Sequence, residues 1–221
     1  MRHVLMMSVL SLAALMLFGC GDYANALKGP AVPPRSNGPN PNNLPNPNAV
    51  PKPGAGQGYM VNHSPVVFSE VLLDPVGVNA GSQYVELLNT SGLDADVGGW
   101  SLSDGAASFS FPFGFRINAG ARVVICLGTS GASAQGVQFA PSFNELPLNQ
   151  GSIALLRGGS EVVDYLQWGG TPNTFEAAAA NNFVWPAGDY VTVPVEGQSL
   201  NFLGGTAGSN NWRAGSTTPG N

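Results

Sequence analysis

The chain has 221 residues, a formal net charge of −5 at neutral pH, only 10% charged side chains and two cysteines. That length holds a sizeable core, and the acidic balance argues against unaided binding of nucleic acid, which needs basic patches. Two cysteines and two histidines leave little material for zinc or thiol chemistry.

Residues 1–19 read as a targeting segment. A single arginine, Arg2, precedes an uncharged apolar run from Val4 to Phe18. That run is shorter than the roughly 20 residues a spanning helix needs. It closes on Leu17-Phe18-Gly19-Cys20, which resembles the lipobox of bacterial lipoproteins, with Phe18 in place of the usual small or aliphatic residue. The resemblance implies cleavage before Cys20, acylation of that cysteine and attachment to a membrane. Asp22 stands two places after Cys20 rather than directly after it, so the resemblance points to the outer membrane, with the leaflet open. Lipidation of Cys20 would leave Cys126 as the only thiol and exclude an internal disulfide. Cleavage also removes Arg2, leaving seven basic against thirteen acidic side chains.

Residues 20–64 are read as a tether. The stretch KGPAVPPRSNGPNPNNLPNPNAVPKP, Lys28 to Pro53, is dense in proline and asparagine and almost free of large apolar groups, so it cannot bury enough surface to fold. At about 3.1 Å per residue in polyproline II, the tether reaches on the order of 100 Å.

Residues 65–221 are expected to form one all-β domain. Short apolar runs alternate with turn signals at roughly ten-residue spacing, the pattern of an antiparallel sandwich. Strands are predicted at VVFSEVLL, QYVELLN, GWSLSD, SFSF, ARVVICLG, SIALLRGG, EVVDYLQWG and QSLNFL. Phe109, Phe111, Phe113 and Phe115 share one parity and are expected on one face. Cys126, flanked by aliphatics, reads as a small core residue. The only helix expected is Thr174 to Asn181, TFEAAAAN, with Thr174 as its cap.

The order of FSEVLLDP, a glycine loop, QYVELLNTSG, DADVGGWSLSDG and FSFPFGFRINAGARVVI resembles the lamin tail domain, with EVVDYLQWGG, GQSLNFL and NNWRAGSTTPGN resembling the second half of its bacterial form. The pieces that carry the resemblance most specifically are Glu70, Tyr84, Glu86 and Asn89, then Gly99, Trp100 and Asp104, then Trp212 and Pro219. Asn201 departs from the pattern, since the bacterial form often has an arginine there. The resemblance implies an immunoglobulin-like β-sandwich, and a binding or architectural module without enzymatic chemistry or a shared ligand. Fold alone does not set function.

The acids are candidates for chemistry of their own. Glu70 with Glu86 could supply the paired carboxylates of a glycosidase, yet no sugar-stacking cleft is marked. Asp74 with Asn79 and Asp94 with Asp96 are weak calcium candidates; neither set has full ligand spacing, and such residues at turns usually bond the local backbone. His63 lies at the end of the tether, and GTSGASAQG lacks the context of a hydrolase nucleophile. No cofactor is expected. On strand parity Glu70 shares a face with Phe68 and Leu72, and Glu86 one with Tyr84 and Leu88. Both acids therefore need hydrogen bonds to backbone amides or a partner such as Arg116, Arg122 or Arg157. The reading that follows is an envelope lipoprotein, membrane-bound through Cys20, whose domain binds protein or polysaccharide. The alternatives are a hydrolase using paired carboxylates and a purely architectural envelope lipoprotein. The oligomeric state is not legible.

Overall fold

A computed structural model of the chain describes residues 64–221. The targeting segment 1–19, Cys20 and the tether up to residue 63 lie outside the described residues.

Among the described residues twelve strands in chain order carry the fold: β1 Val66–Leu72, β2 Tyr84–Asn89, β3 Ala95–Asp96, β4 Ser101–Ser103, β5 Ser108–Ser110, β6 Arg116–Ile117, β7 Arg122–Leu127, β8 Val137–Ala140, β9 Gly151–Arg157, β10 Glu161–Trp168, β11 Gln198–Phe202 and β12 Trp212–Ser216. Six of them form a sheet ordered β12-β11-β1-β2-β7-β8, four a second sheet ordered β10-β9-β4-β5, and β3 and β6 a small ribbon. The two larger sheets share one core that includes Phe68, Val85, Leu87 and Ile125 from the first and Ile153, Leu155, Val163 and Leu166 from the second. Mostly β structure in mixed, predominantly antiparallel sheets fits an immunoglobulin-like sandwich. The exception to antiparallel pairing is β8, which runs parallel to β7.

All eight predicted strands are present, within a residue or two at their ends. The structure adds β3 and β6 inside segments read as turns, β8 after the serine-rich loop, and β12 at the sheet edge. Two-residue strands such as β3 and β6 are too short to show alternation.

Three local expectations are corrected. The phenylalanine series does not stay on one face: Phe111 is buried, while Phe113 is 95% exposed. A turn that closes with the Phe115 N–H bonded to the Pro112 carbonyl ends the alternation there. The helix α1 spans Glu176–Asn181, and Phe175 at its N-cap position makes no side-chain capping bond. Thr174 is therefore not the cap; its carbonyl instead accepts the hydroxyls of Ser152 and Tyr165. Cys126 is fully buried beside Leu72, Tyr84, Val124 and Val137, as its flanks imply. It is disulfide-bonded, not a free thiol.

A single inserted residue decides the geometry of the opening strand. The β1–β2 register places Phe68 opposite Leu87 and Glu70 opposite Glu86, leaving Ser69 as a bulge. A bulge adds one residue to one strand and reverses the parity that follows. Phe68 thus enters the main core, whereas Glu70 lies with Leu72 on the opposite face of the six-stranded sheet. The expected common face for Phe68 and Glu70 is corrected accordingly.

Candidate functional site

Glu70 and Glu86 meet on that outer face. They stand directly across β1 and β2, each almost wholly buried. Glu70 is a hydrogen-bond hub. It accepts the Tyr84 hydroxyl at 2.6 Å, the Ser199 hydroxyl at 2.6 Å, the Thr218 N–H at 2.9 Å and the Thr218 hydroxyl at 3.0 Å. Among the described residues no arginine takes part. Asn201 lies opposite Glu70 on β11 and donates its amide to Ser199 Oγ at 3.1 Å. Three hydroxyls and a backbone amide do the neutralising work at a position where an arginine is absent.

Glu86 has a different set of partners. It accepts the Ser69 hydroxyl at 2.5 Å and the Gly220 N–H at 2.5 Å. Arg122 on β7 places Nε 2.9 Å from Glu86 Oε1, yet that N–H is misaligned and makes no hydrogen bond. The contact is ionic. Burial pushes the Glu86 carboxyl up to about 7, against the opposing pull of Ser69, Gly220 and Arg122, with the Glu70 charge adding to the rise. Of the three arginines expected to serve these acids, only Arg122 does. Arg116 pairs with Asp96, and Arg157 pairs with Glu161 and stands 5.8 Å from the Trp100 ring centroid.

The other motif residues are fold pins. Asn89, fully buried, donates its amide to the carbonyls of Leu93, Ile117 and Asn118 and accepts from the Ser91 N–H and hydroxyl. One side chain thereby ties β2 to the loop and ribbon that follow. Gly99 has a φ of 76°, a conformation that favours glycine, and its N–H bonds the Phe111 carbonyl. Trp100 packs half-buried against the core. Asp104 accepts the N–H groups of Ala106 and Ala107 in the turn between β4 and β5. Trp212 is buried with its ring centroid 5.4 Å from that of Phe202. Pro219 sits between the two residues that bond Glu70 and Glu86.

The calcium candidates are spread among turns. The Asp74 carbonyl accepts the Gly197 N–H and the Asn79 carbonyl accepts the Ser82 N–H. Asp94 accepts the Ala119 N–H, and Asp96 accepts the Gly98 N–H. Among the described residues, no group of three or more His, Cys, Asp and Glu side chains is placed to hold a metal ion.

Two further buried polar residues, Gln83 and Asp164, carry no motif in the sequence. Gln83 donates to the carbonyls of Leu73 and Leu146 and accepts the Leu146 N–H. Asp164, buried on β10, accepts the N–H of Phe68 and of Tyr165, and burial pushes its carboxyl up to about 7. The available signal for Asp164 was an acid set among valines, tyrosine and leucine in a strand.

Residues 61–170 match the Lamin Tail Domain family. No curated protein matches the chain. The lamin tail domain is a non-catalytic module, and its presence points to a binding or scaffolding role. The matched span holds β1 to β10, whereas the residues that complete the Glu70 and Glu86 sites, Ser199, Thr218 and Gly220, lie beyond it.

Proposed function

We propose that this is an extracytoplasmic envelope lipoprotein, anchored through Cys20, whose lamin tail domain is held out on the residue 20–64 tether as a binding or scaffolding module for protein or polysaccharide. The observation that carries the non-catalytic reading is the occupation of Glu70 and Glu86: the domain's own Thr218 and Gly220 bond the carboxylate oxygens that a substrate would need. A carboxylate pair committed in this way is poorly placed to give or take a proton from a bound sugar.

The anchor rests on the lipobox-like segment. Among the described residues no helix is long and apolar enough to cross a membrane. A sulfur in a disulfide cannot also carry a thioether lipid, and the chain has two cysteines. Within one chain, acylation of Cys20 and an internal disulfide at Cys126 are therefore alternative states. Intact mass of the chain isolated from membranes distinguishes these states, and incorporation of labelled palmitate that is lost in Cys20→Ala supports the anchor.

For the ligand, an open groove of about 390 Å³ presents Asp104, Asn144, Glu145, Gln150 and Asn173. Amides and carboxylates of this kind hydrogen-bond hydroxyl-rich chains, which favours polysaccharide. Binding of the full chain to envelope fractions, peptidoglycan and glycan arrays, with Asn144→Ala and Glu145→Ala as comparisons, tests the reading. Retention on a glycan that weakens in those variants supports it; failure to bind any of these materials favours a purely architectural lipoprotein. Hydrolysis of a glycan that stops in Glu86→Gln, with unchanged melting, would reinstate the hydrolase.

A further inference from the structure

Strand β12 is an edge of the six-stranded sheet and pairs with β11 on one side only. Its five residues keep an unbroken register with β11, from Ser216 opposite Gln198 to Trp212 opposite Phe202, and they hold no proline and one charge, Arg213. Proline, bulges and several charges are the usual means by which an exposed edge resists a further strand. The Leu203 N–H bonds the Asn211 carbonyl, so by antiparallel alternation Arg213 and Gly215 direct their backbone groups to β11. Ala214 and Ser216 turn theirs off the sheet edge, where both residues are exposed.

The two faces of this edge differ. Trp212 and Ala214 share the inner face with Leu200, beside an open groove of about 250 Å³ whose other wall includes Tyr190, Val191 and Val193. Val191 is bridged to Trp168 at the end of β10, so the groove runs between the edges of the two sheets. Arg213 lies on the outer face, across from Asn201. Among the described residues there are four arginines and no lysine. Arg116, Arg122 and Arg157 pair with Asp96, Glu86 and Glu161, which leaves Arg213 among these residues without an acidic partner.

We propose that β12 is a docking edge for an extended acidic peptide of a partner protein, which adds antiparallel to β12 with a carboxylate opposite Arg213 and an apolar residue on either side of it. The pattern follows from pleat parity. A residue opposite Arg213 stands in a pair without mutual backbone bonds, where side chains approach most closely. Its two neighbours lie opposite Trp212 and Ala214 and point into the groove of Val191, Val193 and Leu200. The exposed backbone groups of Ala214 and Ser216 supply the ladder. Charge selects the occupant. The chain's own tether does not fit, since residues 23–63 contain no Asp or Glu. A second β12 pairing about Arg213 would set one guanidinium against another. This groove shares no lining residue with that of Asp104 and Glu145, so the proposal stands apart from the polysaccharide reading.

Titration of the full chain with the capped peptide Thr-Val-Glu-Val-Thr, followed by amide NMR, tests the edge. The Ala214 and Ser216 amides are expected to shift and to gain protection from exchange, while those of Val85 and Ile125 keep theirs. A central Gln should weaken binding roughly two- to fivefold, the span of a cross-strand ion pair, and a central Lys should weaken it further. In Arg213→Glu the order should reverse, with the Lys peptide binding best. Methylating both valine nitrogens of the peptide should abolish the shifts, because the ladder then loses its donors. Equal binding of the three peptides overturns the proposal without recourse to any variant. So does binding that leaves the Ala214 and Ser216 amides unmoved, or the absence of any shift at millimolar peptide. Oligogalacturonate that moves those amides where the Glu peptide does not would assign the edge to an anionic polysaccharide and overturn the peptide reading.

Discussion

Asp164 on β10 accepts the N–H of Phe68 on β1 at 2.6 Å, a bond that crosses from one sheet of the sandwich to the other. Both ends lie at bulges. Ser69 is the extra residue in β1 and Val163 the extra residue in β10. A bulge withdraws backbone groups from the ladder, and a buried N–H without a partner is costly. Each irregularity is thus answered by the other.

Removing this acceptor should destabilise the domain markedly. Asp164→Ala leaves the Phe68 and Tyr165 N–H groups unpaired in the core and is expected to cost about 2–4 kcal/mol in urea unfolding. Asp164→Asn retains one acceptor oxygen without the buried charge, so its cost should be clearly smaller. Equal costs for the two variants would show that the bond contributes little.

Stability should fall from mildly acidic to mildly alkaline pH. Glu86 and Asp164 both have folded carboxyls raised to about 7 by burial. A raised group contributes stability that is complete below its unfolded value and lost as pH rises through the folded value. The melting temperature is therefore expected to be higher at pH 5.5 than at pH 8, and the difference should shrink in Asp164→Asn. A melting temperature that increases over this interval would show that other groups dominate.

Asn89 should be intolerant of its nearest isostere. Asn89→Asp replaces the amide that serves the Leu93, Ile117 and Asn118 carbonyls with a carboxylate facing those same oxygens. The expected loss is about 3 kcal/mol or more, larger than for Asn89→Ala at pH 7. Lowering the pH should recover part of the difference, since a protonated Asp can donate one bond.

Two glycines of similar backbone conformation should respond differently to alanine. At Gly169, φ 73°, an added Cβ would stand 1.7 Å from the Asn149 carbonyl oxygen; at Gly158, φ 60°, nothing lies within 4 Å. Gly158→Ala is expected to cost about 1 kcal/mol from left-handed strain. Gly169→Ala should cost several times as much, by comparison of denaturation midpoints, because backbone must move.

The legible part of this fold was the part with local periodicity. Valine and leucine runs bounded by glycine, proline and aspartate mark β1, β2, β7, β9 and β10 because strand alternation and turn chemistry act within a few residues. The opening glutamates were legible as buried and in need of partners, since Tyr84, Leu88 and Leu72 surround them in sequence. Their partners were not. Ser199, Thr218 and Gly220 lie more than a hundred residues from Glu70 and Glu86, and no local pattern carries such a distance.

The sequence by itself determined an all-β domain, its turn positions and the resemblance to lamin tail domains, because strand propensity, pleat parity and glycine conformations are properties of short stretches. Tertiary structure alone decided which face Glu70 occupies, through the Ser69 bulge, and which neighbours neutralise it. It also decided that Asp164 links the sheets and that Asn201 works through Ser199 instead of through a charge. The physical reason is common to all four. Burial and hydrogen bonding depend on what covers a side chain from across the sandwich, and that is settled only when the sheets have packed.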